Sequence, residues 1–190
     1  EWKEARDVID DVEKDMAFYR RSKGGMTLSG GEPLMQPEFA RELLAEAKRR
    51  CIHTAVETTL YVEWDQVWDI FGLVVYVLLD IKCLDEERHK QYTGAGCGLV
   101  LENFRRLREE FPEKPVKVRT PVVPGFNDRD EDILAIASLV KKYPGTEYEL
   151  LKYHRFGQNK YGFLGREYAM GDAELEDRRF EHFKSLIGQP

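Results

Sequence analysis

The residues of this sequence that could take part in chemistry occur where apolar segments end. The segment Met26-Thr27-Leu28-Ser29 runs directly into Gly30, Gly31, Glu32 and Pro33. Glycines allow positive φ and let a ligand approach the backbone closely, and Glu32 offers a carboxylate beside them. The proline ends the hydrogen-bonded ladder of a strand. This pattern is typical either of a tight turn or of a small-molecule site at the carboxyl end of a strand.

Polar or ionisable residues end four further apolar segments in the same way. The carboxyl ends of parallel strands lie at one edge of a sheet, which is where such sheets bind ligands. Five polar strand ends therefore favour one shared site over five unrelated strand tips. The four further ends are Glu57-Thr58-Thr59, Asp80-Ile81-Lys82, Arg119 with the following Pro121-Val122-Val123-Pro124-Gly125, and Tyr153-His154-Arg155.

Each of these side chains also has an ordinary structural explanation. Asp80 and Lys82 point to the same side of a strand, because strand side chains repeat every second residue, and a plain surface ion pair would explain them. Taken alone, His154 is more typical of a loop or of a core histidine with satisfied hydrogen bonds. Arg119 would then only cap the rim of the sheet.

The elements that must position these residues alternate between strand and helix. Residues 73–79 form a nearly continuous apolar run, which is typical of a parallel strand covered on both faces. The alternation predicts an α/β fold with a parallel sheet or barrel and outer helices, in one domain over residues 1–190. The predicted strands are 26–29, 53–58, 74–81, 116–123 and 146–153, and the predicted helices are 3–20, 37–50, 63–71, 99–111 and 129–143.

The ends of these elements lead to two further expectations. Asn127 or Asp128 is expected to cap the helix that follows it. The sequence enters on a helix, and a parallel edge strand would be left open there, which is a liability. We therefore expect an upstream strand that this sequence does not contain.

The composition argues against several classes of protein. The net charge is −6, so no overall basic balance indicates nucleic-acid binding. No apolar run approaches the ~20 residues of a membrane span. The three cysteines, Cys51, Cys83 and Cys97, are odd in number and widely spaced. They are interpreted as reduced thiols in a cytoplasmic protein.

Taken together and in order, the polar strand ends and the segments around them resemble the glycyl-radical-enzyme activating enzymes, a branch of the radical S-adenosylmethionine (SAM) superfamily. Within that branch they are most like the activators of pyruvate formate-lyase. The resemblance runs over nearly the whole chain. It depends on Thr27-Leu28-Ser29-Gly30-Gly31-Glu32-Pro33-Leu34, Asp80-Ile81-Lys82, Tyr92-Thr93-Gly94, Leu101-Glu102-Asn103, Arg119-Thr120-Pro121-Val122-Val123-Pro124-Gly125 and Leu150-Leu151-Lys152-Tyr153-His154.

The resemblance implies a fold and an activity. The fold is a partial (βα)6-type radical SAM barrel, related to the TIM barrel, of which this chain lacks the first strand and keeps about five parallel strands with outer helices. The activity is reductive cleavage of SAM at a [4Fe-4S] cluster. The resulting 5′-deoxyadenosyl radical takes a hydrogen from a glycine of a glycyl radical enzyme such as formate acetyltransferase, the pyruvate formate-lyase. A flavodoxin or ferredoxin would donate the electron.

The resemblance also assigns SAM-binding roles to individual residues. Gly30, Gly31 and Glu32 would hold the methionyl amino group through backbone oxygens and the carboxylate. Lys82 would pair with the methionyl carboxylate as a point charge. His154 would contact the ribose or the adenine.

A second set of roles concerns charge beside the methionine. Thr58 and Asp80 would line the SAM site, and with Glu57 they resemble a site for a monovalent cation, since hard cations prefer oxygen ligands. Arg119 would face the glycine loop of the partner enzyme. In the family a glycine usually stands where this sequence has Leu60, which puts the geometry of that loop in question.

The sequence departs from the family at the cluster motif. The family places CxxxCxxC after its first strand, and none of the three cysteines matches that spacing. The chain as given is therefore expected to be inactive, with no catalytic residue of its own, and the motif is expected upstream. Two other hypotheses stay open. One is a non-catalytic barrel module that binds a nucleoside or a partner protein, and the other is a lyase that uses Lys82 as a Schiff-base nucleophile.

Overall fold

The computed structural model of the chain describes residues 3–168 and 170–189. Five parallel strands form one sheet with the order β1-β2-β3-β4-β5, and the sheet is not closed. Each strand therefore pairs with the next one along the chain, as right-handed βα units produce. The strands are β1 (Gly25–Leu28), β2 (His53–Thr58), β3 (Tyr76–Asp80), β4 (Val116–Val122) and β5 (Thr146–Lys152).

Helices connect the strands and flank the sheet. Two short 3-10 helices, Trp64–Gln66 and Trp68–Gly72, join β2 to β3. None of the helices in the described part of the chain is long and apolar enough to cross a lipid bilayer. The α-helices are α1 (Ala5–Glu13), α2 (Met16–Ser22), α3 (Pro37–Arg49), α4 (Glu86–Thr93), α5 (Gly98–Glu110), α6 (Asp130–Val140), α7 (Gln158–Phe163) and α8 (Asp177–Ile187).

The two faces of the sheet differ in polarity because strand side chains alternate. On β4, Val116 and Val118 are buried, whereas Lys117 and Arg119, the residue after each of them, are only partly buried. Most buried side chains of the strands form one core with residues of α3 and α5, including Leu44. Val122 of β4 and Leu150 of β5 belong to a second, smaller core with residues of α6 and α8. The opposite face is half-exposed and carries charged side chains, so charge can gather there without entering the core.

The predicted elements agree with the structure for the strands and differ in two helical regions. All five predicted strands are present, with ends within two residues of the prediction. The predicted helix 3–20 is two helices, because the α-helix stops after Glu13 and starts again at Met16. The predicted helix 63–71 was wrong, since this region forms two 3-10 helices. Helix α8 was not predicted.

The predicted cap of α6 was also wrong. The N-cap residue is Arg129, without a side-chain capping bond. Asn127 and Asp128 instead fold the loop after β4, accepting hydrogen bonds from the backbone N–H groups of Val123 at 2.7 Å and Gly125 at 3.0 Å. These side chains satisfy the turn before the helix, so they cannot cap the helix itself.

Tyr148 on β5 leads to a prediction about alkaline stability. Its hydroxyl donates to Thr120 Oγ1 over 3.2 Å, and burial raises the pKa of Tyr148 to about 12 from 10.0. The unfolded chain loses this proton first, so the stabilisation is complete below pH 10 and is lost as the pH rises toward 12. In that window the free energy of unfolding of the wild type should fall by about 1.4 kcal/mol per pH unit. We expect Tyr148→Phe not to show this fall. Urea unfolding at several alkaline pH values measures it.

Candidate functional site

Four charged side chains meet where β2 and β3 end, beside the middle of β4. One guanidinium nitrogen of Arg119, Nη2, lies 2.7 Å from Glu57 Oε1 and 2.9 Å from Asp80 Oδ1. The other carboxylate oxygen of Asp80, Oδ2, is 3.3 Å from Lys82 Nζ. Two carboxylates and two cations therefore form one connected group, whose formal charges cancel.

Sheet register explains why these side chains meet. Asp80 is directly paired with Arg119 across β3 and β4, and directly opposed side chains interact most strongly. Glu57 is on the adjacent strand β2 and is paired with Leu78, two residues before Asp80 on β3. The long arginine side chain spans the distance across β3 to Glu57.

Burial makes the cluster more than a surface ion pair. The Arg119 and Asp80 side chains are 13% and 19% exposed, and that of Glu57 is 42% exposed. Burial by itself lowers the pKa of Arg119, but the hydrogen bond with Glu57 and the charge of Asp80 outweigh it and raise this pKa above its ordinary value. Arg119 is therefore held as a cation by two carboxylates at the carboxyl edge of the sheet.

Both carboxylate oxygens of Glu32 accept hydrogen bonds from other residues of the chain. Oε1 accepts from the Thr58 hydroxyl at 2.7 Å and from Leu34 N at 3.3 Å. Oε2 accepts from Thr59 N at 2.8 Å and from the Thr59 hydroxyl at 2.7 Å. A carboxylate offers about four acceptor positions, so Glu32 fastens the end of β1 to the end of β2. This arrangement leaves the carbonyls of the neighbouring glycines as the available ligand acceptors.

We expect Glu32→Gln to destabilise the fold by about 1–3 kcal/mol, the cost of an unpaired buried group. The glutamine amide nitrogen cannot accept from Thr59, so one pair of hydrogen bonds is lost. Urea unfolding measures the change, with Glu38→Gln in the exposed first turn of α3 as the control. Equal stability of both variants would contradict this role for Glu32.

Leu60 stands where the family usually has a glycine, and its backbone adopts a conformation that glycine favours. Its φ is +56°, in the left-handed region, and its side chain is fully buried. Leu60 N donates to the Thr58 hydroxyl at 2.9 Å, and the Leu60 carbonyl accepts from Asn103 Nδ2 at 2.9 Å. Left-handed backbone costs a leucine about 1–2 kcal/mol, which these bonds and the burial of the side chain offset. These hydrogen bonds hold the loop in its conformation without a glycine.

Buried polar side chains hold the neighbouring strand ends, and sequence analysis missed their role. Asn127 is fully buried, and its Nδ2 donates to the carbonyl of Lys82 at 2.6 Å and that of Pro121 at 2.9 Å. The Thr120 hydroxyl donates to the carbonyl of Ile81 at 2.7 Å. Lys82 is thus fixed through its backbone. The only sequence signal was a polar residue, Asn127, soon after the Pro-Gly turn.

The other predicted site residues lie at the same edge of the sheet without joining the cluster. Gly30 has a φ of +131°, and a Cβ built at Gly30 or Gly31 would meet nothing within 4 Å. Within the described residues, no hydrogen bond reaches the carbonyl of either glycine. His154 is exposed beyond the end of β5, and its ring stacks on Phe156 at a centroid distance of 4.3 Å.

Asp80 and Lys82 also line a cavity of about 290 Å³, together with Thr59, Tyr61 and His89. The cavity therefore opens beside the charged cluster at the strand ends. A larger groove of about 1260 Å³ lies along α1 and α3 and touches none of the predicted site residues.

The cysteines do not form a cluster-binding group in the described part of the chain. Cys51 is exposed, whereas Cys83 and Cys97 are buried. Burial and the hydrogen bond with Glu86 raise the pKa of the Cys97 thiol to about 12, whereas metal ligation needs a thiolate. Over residues 3–168 and 170–189, no group of three or more His, Cys, Asp or Glu side chains could hold a metal ion. These residues do not fit a [4Fe-4S] cluster.

Comparison with known proteins decides the family. Residues 2–137 match the Radical SAM superfamily. The chain belongs to the radical SAM superfamily. Its open five-stranded sheet is accordingly a partial radical SAM barrel, and proteins of this family use SAM together with a [4Fe-4S] cluster.

Curated relatives of this radical SAM chain are activating enzymes of glycyl-radical enzymes. An isethionate sulfite-lyase activating enzyme of Nitratidesulfovibrio vulgaris is 50% identical over 183 residues, covering 96% of this chain and 59% of the relative. A (2S)-3-sulfopropanediol sulfolyase activating enzyme of Bilophila wadsworthia is 46% identical, covering 95% of this chain and 60% of the relative. The chain thus spans less than two thirds of the length of these relatives.

A solved structure supports the same relationship. A domain of the pyruvate-formate lyase-activating enzyme from Bacteroides vulgatus has a TM-score of 0.70 and 26% identity, covering 87% of this chain and 93% of that one. The resemblance that the sequence motifs indicated is confirmed at the level of the family and of the activating-enzyme homologues.

Proposed function

We propose that this chain is the SAM-binding part of an activating enzyme for a glycyl radical enzyme. The observation that carries the proposal is the charged cluster at the carboxyl edge, in which Lys82 follows β3 on the same rim as the open backbone turn of Gly30 and Gly31 after β1. We propose that residues 1–190 form a single domain. In such an activating enzyme, SAM would supply the 5′-deoxyadenosyl group that takes a hydrogen from a glycine of the partner.

The residues at this edge fit the two charged ends of the methionyl group of SAM. The Lys82 ammonium has Asp80 as its partner among the described residues, and its remaining N–H groups can donate to the methionyl carboxylate. The carbonyls of Gly30 and Gly31 would accept from the methionyl ammonium, and no Cβ blocks the approach. His154 would contact the ribose or adenine from the end of β5.

Other parts of the site serve to position these groups. Glu32 and Thr58 set the relative position of the β1 and β2 ends through their 2.7 Å hydrogen bond. Asp80 restrains Lys82. The described residues lack cluster ligands, so we assign the chain no step at an iron–sulfur cluster.

The partner is proposed from the named relatives. Relatives at 46–50% identity are named for isethionate sulfite-lyase and (2S)-3-sulfopropanediol sulfolyase, so a glycyl radical enzyme that cleaves a sulfonate is favoured. Pyruvate formate-lyase, the formate acetyltransferase expected from the sequence, is supported by a structure at 26% identity. A flavodoxin or ferredoxin would supply the electron, and the unpaired cysteines are consistent with the cytoplasm.

Calorimetric titration of the chain with SAM and with S-adenosylhomocysteine tests the binding role. We expect saturable binding of both, with a Kd below about 1 mM. Absence of binding by a folded chain would overturn the proposal. Parallel titrations with purified isethionate sulfite-lyase and pyruvate formate-lyase test the partner, and selective binding of pyruvate formate-lyase would reverse the preference for a sulfonate-cleaving enzyme.

The Schiff-base hypothesis for Lys82 receives no support from the geometry. A nucleophilic lysine needs an apolar pocket or a neighbouring cation to release its proton. Lys82 instead forms an ion pair with Asp80 at 3.3 Å. Its nearest charged neighbour is therefore a carboxylate, which is neither of these environments.

A further inference from the structure

Arg119 lies between the two carboxylates to which the family resemblance assigned a monovalent cation. Its Nη2 is 2.7 Å from Glu57 and 2.9 Å from Asp80, and its Nε donates to the same Asp80 oxygen at 3.2 Å. A cation placed between the two carboxylates would compete with Arg119 for Glu57 Oε1 and Asp80 Oδ1. The side chain was expected to face the partner's glycine loop, whereas in the structure it bridges Glu57 and Asp80.

The third oxygen expected for a cation is also engaged elsewhere. The Thr58 hydroxyl donates to Glu32 at 2.7 Å and accepts from Leu60 N at 2.9 Å. Thr58 and Glu57 are successive strand residues, so their side chains point to opposite faces. Hard cations need several oxygen ligands at once, and the side chains present do not converge to supply them.

The charges of the site lead to the same conclusion. Glu57 and Asp80 carry two negative charges, and Arg119 and Lys82 carry two positive charges. A monovalent cation would add a third positive charge to a group that is already neutral and partly removed from water. We propose that the Arg119 guanidinium takes the place of the monovalent cation in this chain, so that the site works without potassium or sodium.

The assignment predicts how the protein responds to salts of equal ionic strength. Thermal unfolding is measured in potassium chloride, sodium chloride and choline chloride at about 0.15 M, because choline is too large to enter a carboxylate pair. We expect the wild-type midpoint to be the same in all three. We expect the unfolding midpoint of Arg119→Ala to be about 2–4 °C higher in potassium or sodium than in choline. The variant vacates the space between two carboxylates, which a small cation can then occupy.

Arg105 provides the matched control for this experiment. It also bridges two carboxylates, Glu102 at 2.6 Å and Glu109 at 2.6 Å, but on the exposed surface of α5. Arg105→Ala should show no difference between the salts, because exposed carboxylates stay hydrated. Arg119→Gln, which keeps a polar side chain and removes the charge, replaces Arg119→Ala if the latter does not fold.

The consequence for SAM binding rests on the proposed function and has a separate readout. Calorimetry should show equal affinity of the wild type for SAM in potassium and choline. Arg119→Ala should bind SAM about tenfold more weakly in choline than in potassium. A wild-type chain that gains stability or affinity from potassium or sodium would overturn the assignment. So would an Arg119→Ala variant that does not respond to these cations in the unfolding experiment. If the unfolding results hold and no SAM binds, the proposed function fails while the assignment of Arg119 stands.

Discussion

Replacing Asp132 with alanine is expected to destabilise the protein by about 3–5 kcal/mol, because it deprives a partly buried arginine of its closest carboxylate. Asp132 is 8% exposed and joins α6 to α4 through two 2.7 Å hydrogen bonds from the Arg88 guanidinium. Arg129 adds two more bonds, at 2.9 Å and 3.1 Å. Urea unfolding measures the loss. Glu131→Ala, an exposed change in the same turn of α6, should shift stability by no more than about 0.5 kcal/mol.

The Arg88–Asp132 pair also determines the direction in which the stability of the protein changes at low pH. Burial by itself raises the pKa of Asp132, but the hydrogen bonds from Arg88 and Arg129 outweigh it and lower this pKa below its ordinary value. The stabilisation is therefore complete above the unfolded pKa of about 3.9 and is lost as the pH falls through the lower folded pKa. Asp132→Asn should flatten this loss. An unchanged acid limb in the variant would show that other carboxylates control it.

Replacing Lys82 with alanine is expected to weaken SAM binding by about 1.5–3 kcal/mol, on the order of ten- to a hundredfold, the scale of a charged hydrogen bond. Lys82 is 30% exposed, and its ammonium is positioned by Asp80 and by the backbone bond from Asn127. Isothermal calorimetry with SAM gives the change in affinity. Lys82→Arg should recover part of it, because the guanidinium keeps the charge and differs in shape.

Lys117→Ala is the matched control for the Lys82 measurement. Lys117 is a partly buried lysine on the same face of the sheet and also pairs with carboxylates, Glu147 at 3.3 Å and Glu149 at 3.8 Å. It is two residues farther from the carboxyl edge than Arg119. Equal losses of SAM affinity in both variants would mean that the general charge of the face, and not a contact from Lys82, supports binding.

Much of the fold could be predicted from local sequence patterns. The apolar run ending at Asp80 and the alternation on Val116–Val122 predict strands because side-chain period and β-propensity are properties of neighbouring residues. The region after Glu63 was predicted as one helix and forms two 3-10 turns. Trp64 and Phe71 are buried, and their rings stack at a centroid distance of 5.2 Å, so packing overrides the helical spacing there.

The position of the candidate site could be predicted from the sequence, but the hydrogen bonds that its side chains make could not. Glu32 has the residue type of a ligand carboxylate, and only the structure shows that Thr58 and Thr59 fill its oxygens. Asn127 has the residue type of a helix cap, and only the structure shows it holding the Lys82 carbonyl. A side chain's type limits what it can bind, whereas its neighbours decide which of those bonds is made.

The amino-acid sequence by itself determined the parallel βα order and which polar residues stand at the strand ends, because both follow from short-range periodicity and from where apolar runs stop. Only the tertiary structure decided which charges neutralise one another. Asp80 and Arg119 are far apart in the chain and become neighbours through the register of β3 and β4. Glu57 joins them because the arginine side chain is long enough to span a strand, and such a distance is set by the packing of the sheet.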